Sequence, residues 1–446
     1  MLPKSASPIP EPVVTTLANG VRVVSIPMPW LDSASASVFV RTGSGHEGAA
    51  QNGISHVVEH MAFKGTSTRD AARINLDAER LGAEVNAHTD KDHTAYHLSG
   101  MARDAEAFVR MLGDIVRRPT FPATELERER QVILQEFIED EEDPMSTAFR
   151  QFDKLCYGAH PLAQAVIGTR RNIERFTHDE LLAYVDRQYT GRNVVVAVAG
   201  NVDAASLLRE AESQFGDLRA GESQPLGAPD WQGGVKAARL SGCSQSHVVL
   251  GYPIASSRDD DPAGSVAAAL FGEGMSSPLM NEIRERRGLV YYAACSADVL
   301  ESCGQFVIEA STTPDKVEEL LGQTRRLLLE HAASVAPVDL ERARNQIAVR
   351  RLRALERPVR RVEDAALDLF VHERVRSPEE LRDRIESVSA DQVRETFARM
   401  LAAPPSLALA GKLGALTGER LRELVGAPAP RGRALSVGRA RRGITH

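Results

Sequence analysis

The stretch GISHVVEHMAFKGT, residues 53–66, contains His56-Val57-Val58-Glu59-His60, and its reading decides how the rest of the chain is understood. Two histidines four apart on a helix lie on one face, about one turn from each other. Glu59, three positions after His56, shares that face. Two neutral imidazoles beside a carboxylate meet the needs of a catalytic zinc centre, which takes protein ligands and a general base. The competing reading is a helix with two surface histidines and a chance glutamate. The local sequence predicts a helix, with Asn52 placed to cap its start and Gly65 where helices commonly stop.

A zinc hydrolase usually keeps a third protein ligand. The run ATELERERQVILQEFIEDEEDP, residues 123–144, predicts a long helix capped by Thr124, with Val132, Ile133, Leu134 and Phe137 as its apolar content. Glu129 and Glu136 are seven apart, so they share a face at roughly 10 Å along the axis. Charged helical runs are more often solvated faces than ligand sources. Composition alone therefore leaves Glu136 a candidate and no more.

At 446 residues the chain is long enough for two to four domains. Hydrophobic residues make up 43% and charged residues 26%, the balance of a globular protein, while aromatics at 5% imply aliphatic cores. A net charge of -7 argues against general nucleic-acid binding. Cys156, Cys243, Cys295 and Cys303 form no C-x-x-C pair and are too sparse for a disulfide scaffold, so reduced, mostly buried thiols in a cytoplasmic protein are expected. The start, MLPKSASPIPEPVV, lacks the apolar segment of a secretory signal, and no apolar run approaches the length of a membrane span. Residues 1–13 are expected as an extended arm and the basic residues 429–446 as a tail.

Taken in order, Val14 to Ile26 and Ser33 to Thr42 read as strands. The motif helix follows, then a helix over Arg69 to Leu81, then a hairpin around Thr89 to Asp92. His88, His93 and His97 fall on that hairpin, but no spacing rule places them at the zinc. Helices then run from Asp104 to Arg117, through the Glu129/Glu136 segment, and from Glu180 to Tyr189, before a strand over Asn193 to Ala199 and a helix over Ala204 to Phe215. Residues 219–235 read as a linker. After it the pattern restarts: a strand over Ser246 to Tyr252, then helices over Asp261 to Phe271, Lys316 to His331, Leu340 to Leu355 and Ser389 to Met400, then a strand over Ser406 to Ala410. The chain thus reads as an internal duplication with a period of about 220 residues. The expected halves are 14–218 and 236–428. Only the first carries the motif histidines, so only it is expected to hold zinc. The fold class expected is α+β, with two homologous domains, each a mainly antiparallel sheet with helices packed on one face.

The inverted order His-x-x-Glu-His, the segments LANGVRVV, RTGSGHEGAAQNGISH and EHMAFKGT, and Glu136 seventy-six positions after His60 together resemble the pitrilysin family of inverzincins. That family includes insulin-degrading enzyme and the mitochondrial processing peptidases. The resemblance implies that His56, His60 and Glu136 hold one zinc ion per chain, with Glu59 as general base and Glu129 supporting the site. It further implies that Asn86 and Ala87 contact the substrate backbone. Arg284 and Tyr291, seven apart in RERRGLVY, match an arginine and tyrosine that in the family bind the substrate carbonyl and the developing oxyanion. Read without the family, that pair is a basic helix end followed by an inward tyrosine. The chain departs from the family nearby, where Glu273 and Pro278 interrupt a glycine- and serine-rich loop.

The function implied is a zinc metalloendopeptidase that cleaves peptides or unstructured segments in a closed chamber. The alternatives are the zinc subunit of a heterodimeric processing peptidase and a non-catalytic subunit like the core proteins of the respiratory cytochrome complex. Family members build the chamber from four homologous domains, so a two-domain chain implies a homodimer, or a heterodimer with an inactive homologue. The acidic run Glu139 to Asp143 is either an exposed helix end or a chamber lining that favours basic peptides. Peptide substrates are expected, with no nucleic acid and no membrane as partner.

Overall fold

The computed structural model describes residues 10–428. Most of the expected arm and the whole expected tail, 429–446, lie outside the described residues. The first half contains β1 (Val13–Thr16), β2 (Arg22–Pro27), β3 (Ser33–Val40), α1 (Ile54–Ala62), α2 (Ala71–Arg80), β4 (Glu84–Thr89) and β5 (Thr94–Met101). It continues with α3 (Ala105–Arg117), α4 (Ala123–Glu142), α5 (Pro144–Tyr157), α6 (Arg170–Arg175), α7 (His178–Gln188), β6 (Val194–Gly200) and α8 (Ala204–Phe215). The second half contains β7 (Gly234–Arg239), β8 (Ser246–Ile254), α9 (Ala263–Gly272), a π-helical segment (Met280–Arg286), β9 (Val290–Val299) and β10 (Gly304–Thr312). It ends with α10 (Val317–Ala333), α11 (Pro337–Leu355), α12 (Pro358–His372), α13 (Pro378–Ser387), α14 (Ala390–Ala402), β11 (Ser406–Gly411) and α15 (Gly418–Val425).

The strands form two mixed sheets, ordered β1-β2-β6-β3-β5-β4 and β7-β11-β8-β10-β9. Each has one parallel pair, β2 with β6 and β7 with β11, and is otherwise antiparallel. The α+β class with two related domains is what the sequence predicts. The expected covering of one sheet face is incomplete, because each sheet is covered on its second face by a helix from the other half. On the first sheet α12 lays Val362, Ala365, Ala366 and Leu369 against Val24, Phe39, Val195 and Ala197. On the second, α5 lays Ala148, Phe152 and Cys156 against Val249, Val307 and Ala408. Gly251 on β8 makes room for the Phe152 ring, with which a side chain there would collide. The sequence carries the physical cause: β6, VVVAVAG, and β11, SLALAG, are buried at every position, as strands covered on both faces must be.

The crossed helices are reinforced by charge. Arg41 on the first half donates through Nε to Glu301 Oε2 at 3.0 Å, and Arg258 pairs with the same carboxylate. Arg22 and Arg41 lie over the Phe370 ring of α12, at 5.1 and 5.9 Å from its centroid.

Local departures from the sequence reading have identifiable causes. The expected strand Val14 to Ile26 is the hairpin β1–β2, turning at Asn19-Gly20 with Gly20 at φ 93°. Thr124 does not cap α4, whose N-cap position is Pro122. Among the described residues no helix is long and apolar enough to cross a membrane.

Candidate metal centre

Helix α1 buries Ile54, Val57, Val58, Met61 and Ala62 and leaves His56, Glu59 and His60 along its partly open face. Its start is not capped by Asn52. The buried Glu47 carboxylate does this work, accepting from Gly53 N at 2.7 Å, Ser55 N at 2.8 Å and Asn52 Nδ2 at 3.1 Å. The Tyr184 hydroxyl adds a bond to Ser55 Oγ at 2.6 Å. The turn that carries His56 is thus fixed from two sides.

Helix α4 packs on α1 through Leu126 and Ile133 and brings both of its predicted glutamates to the histidines. His56 Nε2 and His60 Nε2 are 3.2 Å apart. Glu136 Oε2 is 3.8 Å from the first and 3.4 Å from the second. One ligand atom from each of the three residues lies within 4.8 Å of the others. Glu129, two turns earlier and 7% exposed, holds His60 Nδ1 at 3.0 Å through Oε1 and Lys64 Nζ at 2.7 Å through Oε2.

These residues fit a divalent transition metal. The set is two imidazoles and one carboxylate, converging from two helices, with a carboxylate behind one histidine to fix its tautomer. Burial, and secondarily the neighbouring His60, push the His56 imidazole down to about 3, which keeps it in the neutral form that a metal requires. Its Nδ1 has no hydrogen-bond partner among the described residues.

Glu59 sits beside this cluster without joining it. Its Oε2 accepts from Thr89 Oγ1 at 2.6 Å. Burial raises the Glu59 carboxyl above its ordinary value; the Thr89 bond and His60 pull it back, while Glu136 adds to the rise. His56 and Glu59 line a cleft of ≈ 530 Å³, with Ala87, Thr89, Phe149 and Asp153 among its other walls. Every residue lining it belongs to the first half.

Among the described residues strand β4 is the sheet edge, paired only with β5. Ala87 packs on the α1 side, whereas Asn86 stands opposite His97 on the other face, its Oδ1 accepting from Ala87 N at 2.8 Å. Arg284 lies in the π-helical segment, with Met275 Sδ 3.7 Å from its Nη1, and Tyr291 on β9 is 83% exposed. The structure therefore gathers His56, Glu59, His60, Glu129, Glu136 and Ala87. It does not place Arg284 or Tyr291 among the residues lining this chain's own cleft. Of the acidic run, Asp140 pairs with Arg150 at the cleft and Asp143 caps α5, while Glu139, Glu141 and Glu142 are exposed.

Sequence reasoning missed Glu47, Lys64 and Thr89. Lys64 carries little signal, since it lies four residues beyond His60 but past the end of α1 at Ala62. Thr89 carries no signal, because its approach to Glu59 depends on how the hairpin packs.

Residues 22–170 match the family Insulinase (Peptidase family M16), and residues 175–347 match the Peptidase M16 inactive domain. An uncharacterized zinc protease of Rickettsia bellii is 30% identical over 400 residues, covering 89% of this chain and 97% of the relative. One of Mycobacterium leprae is 34% identical over 350 residues, 76% of this chain and 77% of the relative. The crystal structure of a protease from Helicobacter pylori superposes with a TM-score of 0.82 at 20% identity, covering 91% of this chain and 100% of that one. A chain of complex III2 from Candida albicans does so at 0.81 and 17%, covering 93% and 99%. At these identities the two structures establish the fold alone.

Proposed function

The chain belongs to peptidase family M16, and from that membership we propose that it is a zinc-dependent endopeptidase acting on peptides or unstructured segments inside a closed chamber. The observation that carries this reading is the convergence of His56, His60 and Glu136 beside an uncommitted carboxylate, Glu59.

Zinc held by His56, His60 and Glu136, one ion per chain, would supply Lewis acidity toward a carbonyl and acidify a water. Glu59 takes the proton of the attacking water and passes it to the leaving amine. Its hydrogen bond from Thr89 holds one oxygen in place and leaves the other for that proton. Glu129 orients His60, and Lys64 offsets the buried charge behind it. The substrate adds as a strand to the open edge of β4 along Asn86 and Ala87, where main-chain pairing holds an extended peptide without reading its side chains. A folded protein cannot present such a strand, which restricts substrates to short or unstructured chains.

Tyr291 and Arg284 stabilise charge on the scissile carbonyl oxygen. Because the cleft is lined by the first half only and Tyr291 is exposed, they reach it from a second copy in a twofold homodimer. A heterodimer with an inactive homologue would supply the pair from elsewhere and leave this chain's own Arg284 and Tyr291 without a role. The four cysteines are free, which suits a reducing, cytoplasmic compartment. The reading as a non-catalytic assembly subunit shares the fold, but the complete set His56, Glu59, His60 and Glu136 weighs against it.

The test is digestion of an unstructured peptide library by zinc-loaded protein, with cleavage sites mapped by mass spectrometry. Internal cuts that vanish with chelator and return with zinc are expected. A loaded, folded dimer that cuts nothing would overturn the endopeptidase reading.

A further inference from the structure

The hairpin that borders the cleft carries a second pair of facing imidazoles, on the sheet face away from α1. His88 Nε2 and His93 Nε2 are 3.2 Å apart, the same separation as His56 Nε2 and His60 Nε2. We propose that His88 and His93 form a second divalent-metal site, which takes zinc or another imidazole-preferring ion through these two Nε2 atoms.

The outer atoms of both rings are already anchored, as those of metal-binding histidines are. His93 Nδ1 is 2.7 Å from Asp92 Oδ1, a buried carboxylate. His88 Nδ1 is 3.0 Å from His97 Nε2, and His97 Nδ1 is 2.6 Å from Ser37 Oγ. Asp92 thus stands behind His93 as Glu129 stands behind His60.

The proton count of this chain permits an ion. With three neutral imidazoles, His93 donates from Nδ1 to Asp92 and accepts at Nε2 from His88, which accepts at Nδ1 from His97, which accepts from Ser37. If His88 moves its proton to Nδ1, it donates to His97 Nε2; His97 then donates from Nδ1 to Ser37 Oγ. Every outer hydrogen bond survives, and both facing Nε2 atoms become lone pairs. The ion replaces one shared proton position, and no proton leaves the neutral network. Burial holds His88 below its ordinary value, in the neutral form a ligand needs. At His93 burial is outweighed by the hydrogen bond and charge of Asp92, which hold it above its ordinary value, so where that ring is protonated the ion displaces the proton at Nε2. Asp90 and Glu363 favour positive charge at both rings, with Arg360 opposing at His88.

Access exists from one side. His93 is 4% exposed, but His88 is half-buried and lines the same cleft as His56 and Glu59. Two protein nitrogens suit zinc, copper or nickel, with water completing the shell. Such a site binds more weakly than the three-ligand centre. Without a metal, the same geometry is a closed relay of hydrogen-bonded neutral histidines, which takes up no ion.

The experiment is equilibrium dialysis of untagged, metal-free dimer against Zn2+ alone, with elemental analysis and a thermal melt on each variant. Wild type should take two equivalents per chain, the second at least tenfold weaker. His60→Ala should keep one, and His60→Ala with His88→Gln should keep none while melting like its parent. The half-buried His88 is chosen because its loss spares the Asp92–His93 pair. Uptake of no zinc by folded His60→Ala protein would overturn the proposal. So would one equivalent that survives His88→Gln. Failure of the α1 centre alone reads differently, since wild type and His60→Ala would then bind alike and His88→Gln would still abolish uptake.

Discussion

His60 Nδ1 lies 3.0 Å from Glu129 Oε1, and the other oxygen of that 7%-exposed carboxylate is 2.7 Å from Lys64 Nζ. A ligand histidine is oriented by its outer hydrogen bond, and loss of such partners costs about 10–100-fold in metal affinity or activity. Glu129→Gln keeps the shape but loses the charge and the Lys64 pair. We expect zinc affinity, measured by competition with a chelator, to fall by about that factor, with kcat/KM following. Unchanged affinity in a folded variant would make Glu129 a partner of Lys64 and nothing more.

The lock between halves is a separate prediction about stability. Glu301 is 3% exposed and holds both Arg41 and Arg258. Removing one member of a buried pair strands the other charge, at a cost of about 3–5 kcal/mol. Glu301→Ala should lose stability on that order in denaturant unfolding, because Arg41 stays buried beside Asn193 and Ser223. A loss below about 1 kcal/mol would mean that water reaches Arg41 and the pair behaves as a surface one.

The acidic end of α4 has two separable parts. Asp140 and Asp143 have structural partners, so the test leaves them alone. Changing Glu139, Glu141 and Glu142 together to glutamine should lower kcat/KM for arginine-rich peptides by about 3–10-fold at low salt, and less for neutral peptides. Equal effects on both would leave this run a solvated helix end.

The proposed homodimer makes a prediction that neither single variant makes alone. Glu59→Gln and Tyr291→Phe dimers should each be nearly inactive. After dissociation and reassociation, a mixed dimer contains one site with an intact base and an intact tyrosine. Activity should return to about half per mixed dimer by site counting under twofold symmetry. If verified exchange restores nothing, Tyr291 does not act across the interface.

Much of the site was legible because α1 and α4 are local devices: their face spacing follows from helix geometry and survives any packing. Glu136 is the instructive case. Spacing put it on a face with Glu129, but only the family resemblance favoured a candidate ligand over a solvated charge, and the fold then set it 3.4 Å from His60 Nε2. What stayed hidden depends on tertiary contact. Glu47 caps α1 from six residues before Gly53, a loop-mediated cap that no helix signature encodes. The uniformly apolar β6 announces two covered faces, yet nothing in it names α12, more than 150 residues away, as the cover.

The central claim is that α1 supplies two metal ligands and a base that is not a ligand. The most direct measurement is zinc content and turnover of dialysed Glu59→Gln protein beside wild type and His60→Ala. The account predicts that Glu59→Gln keeps about one tightly held zinc per chain while losing on the order of 10²–10⁴-fold in turnover, and that His60→Ala loses the tight zinc altogether. A folded Glu59→Gln protein without zinc, or one that retains both zinc and wild-type turnover, would contradict it.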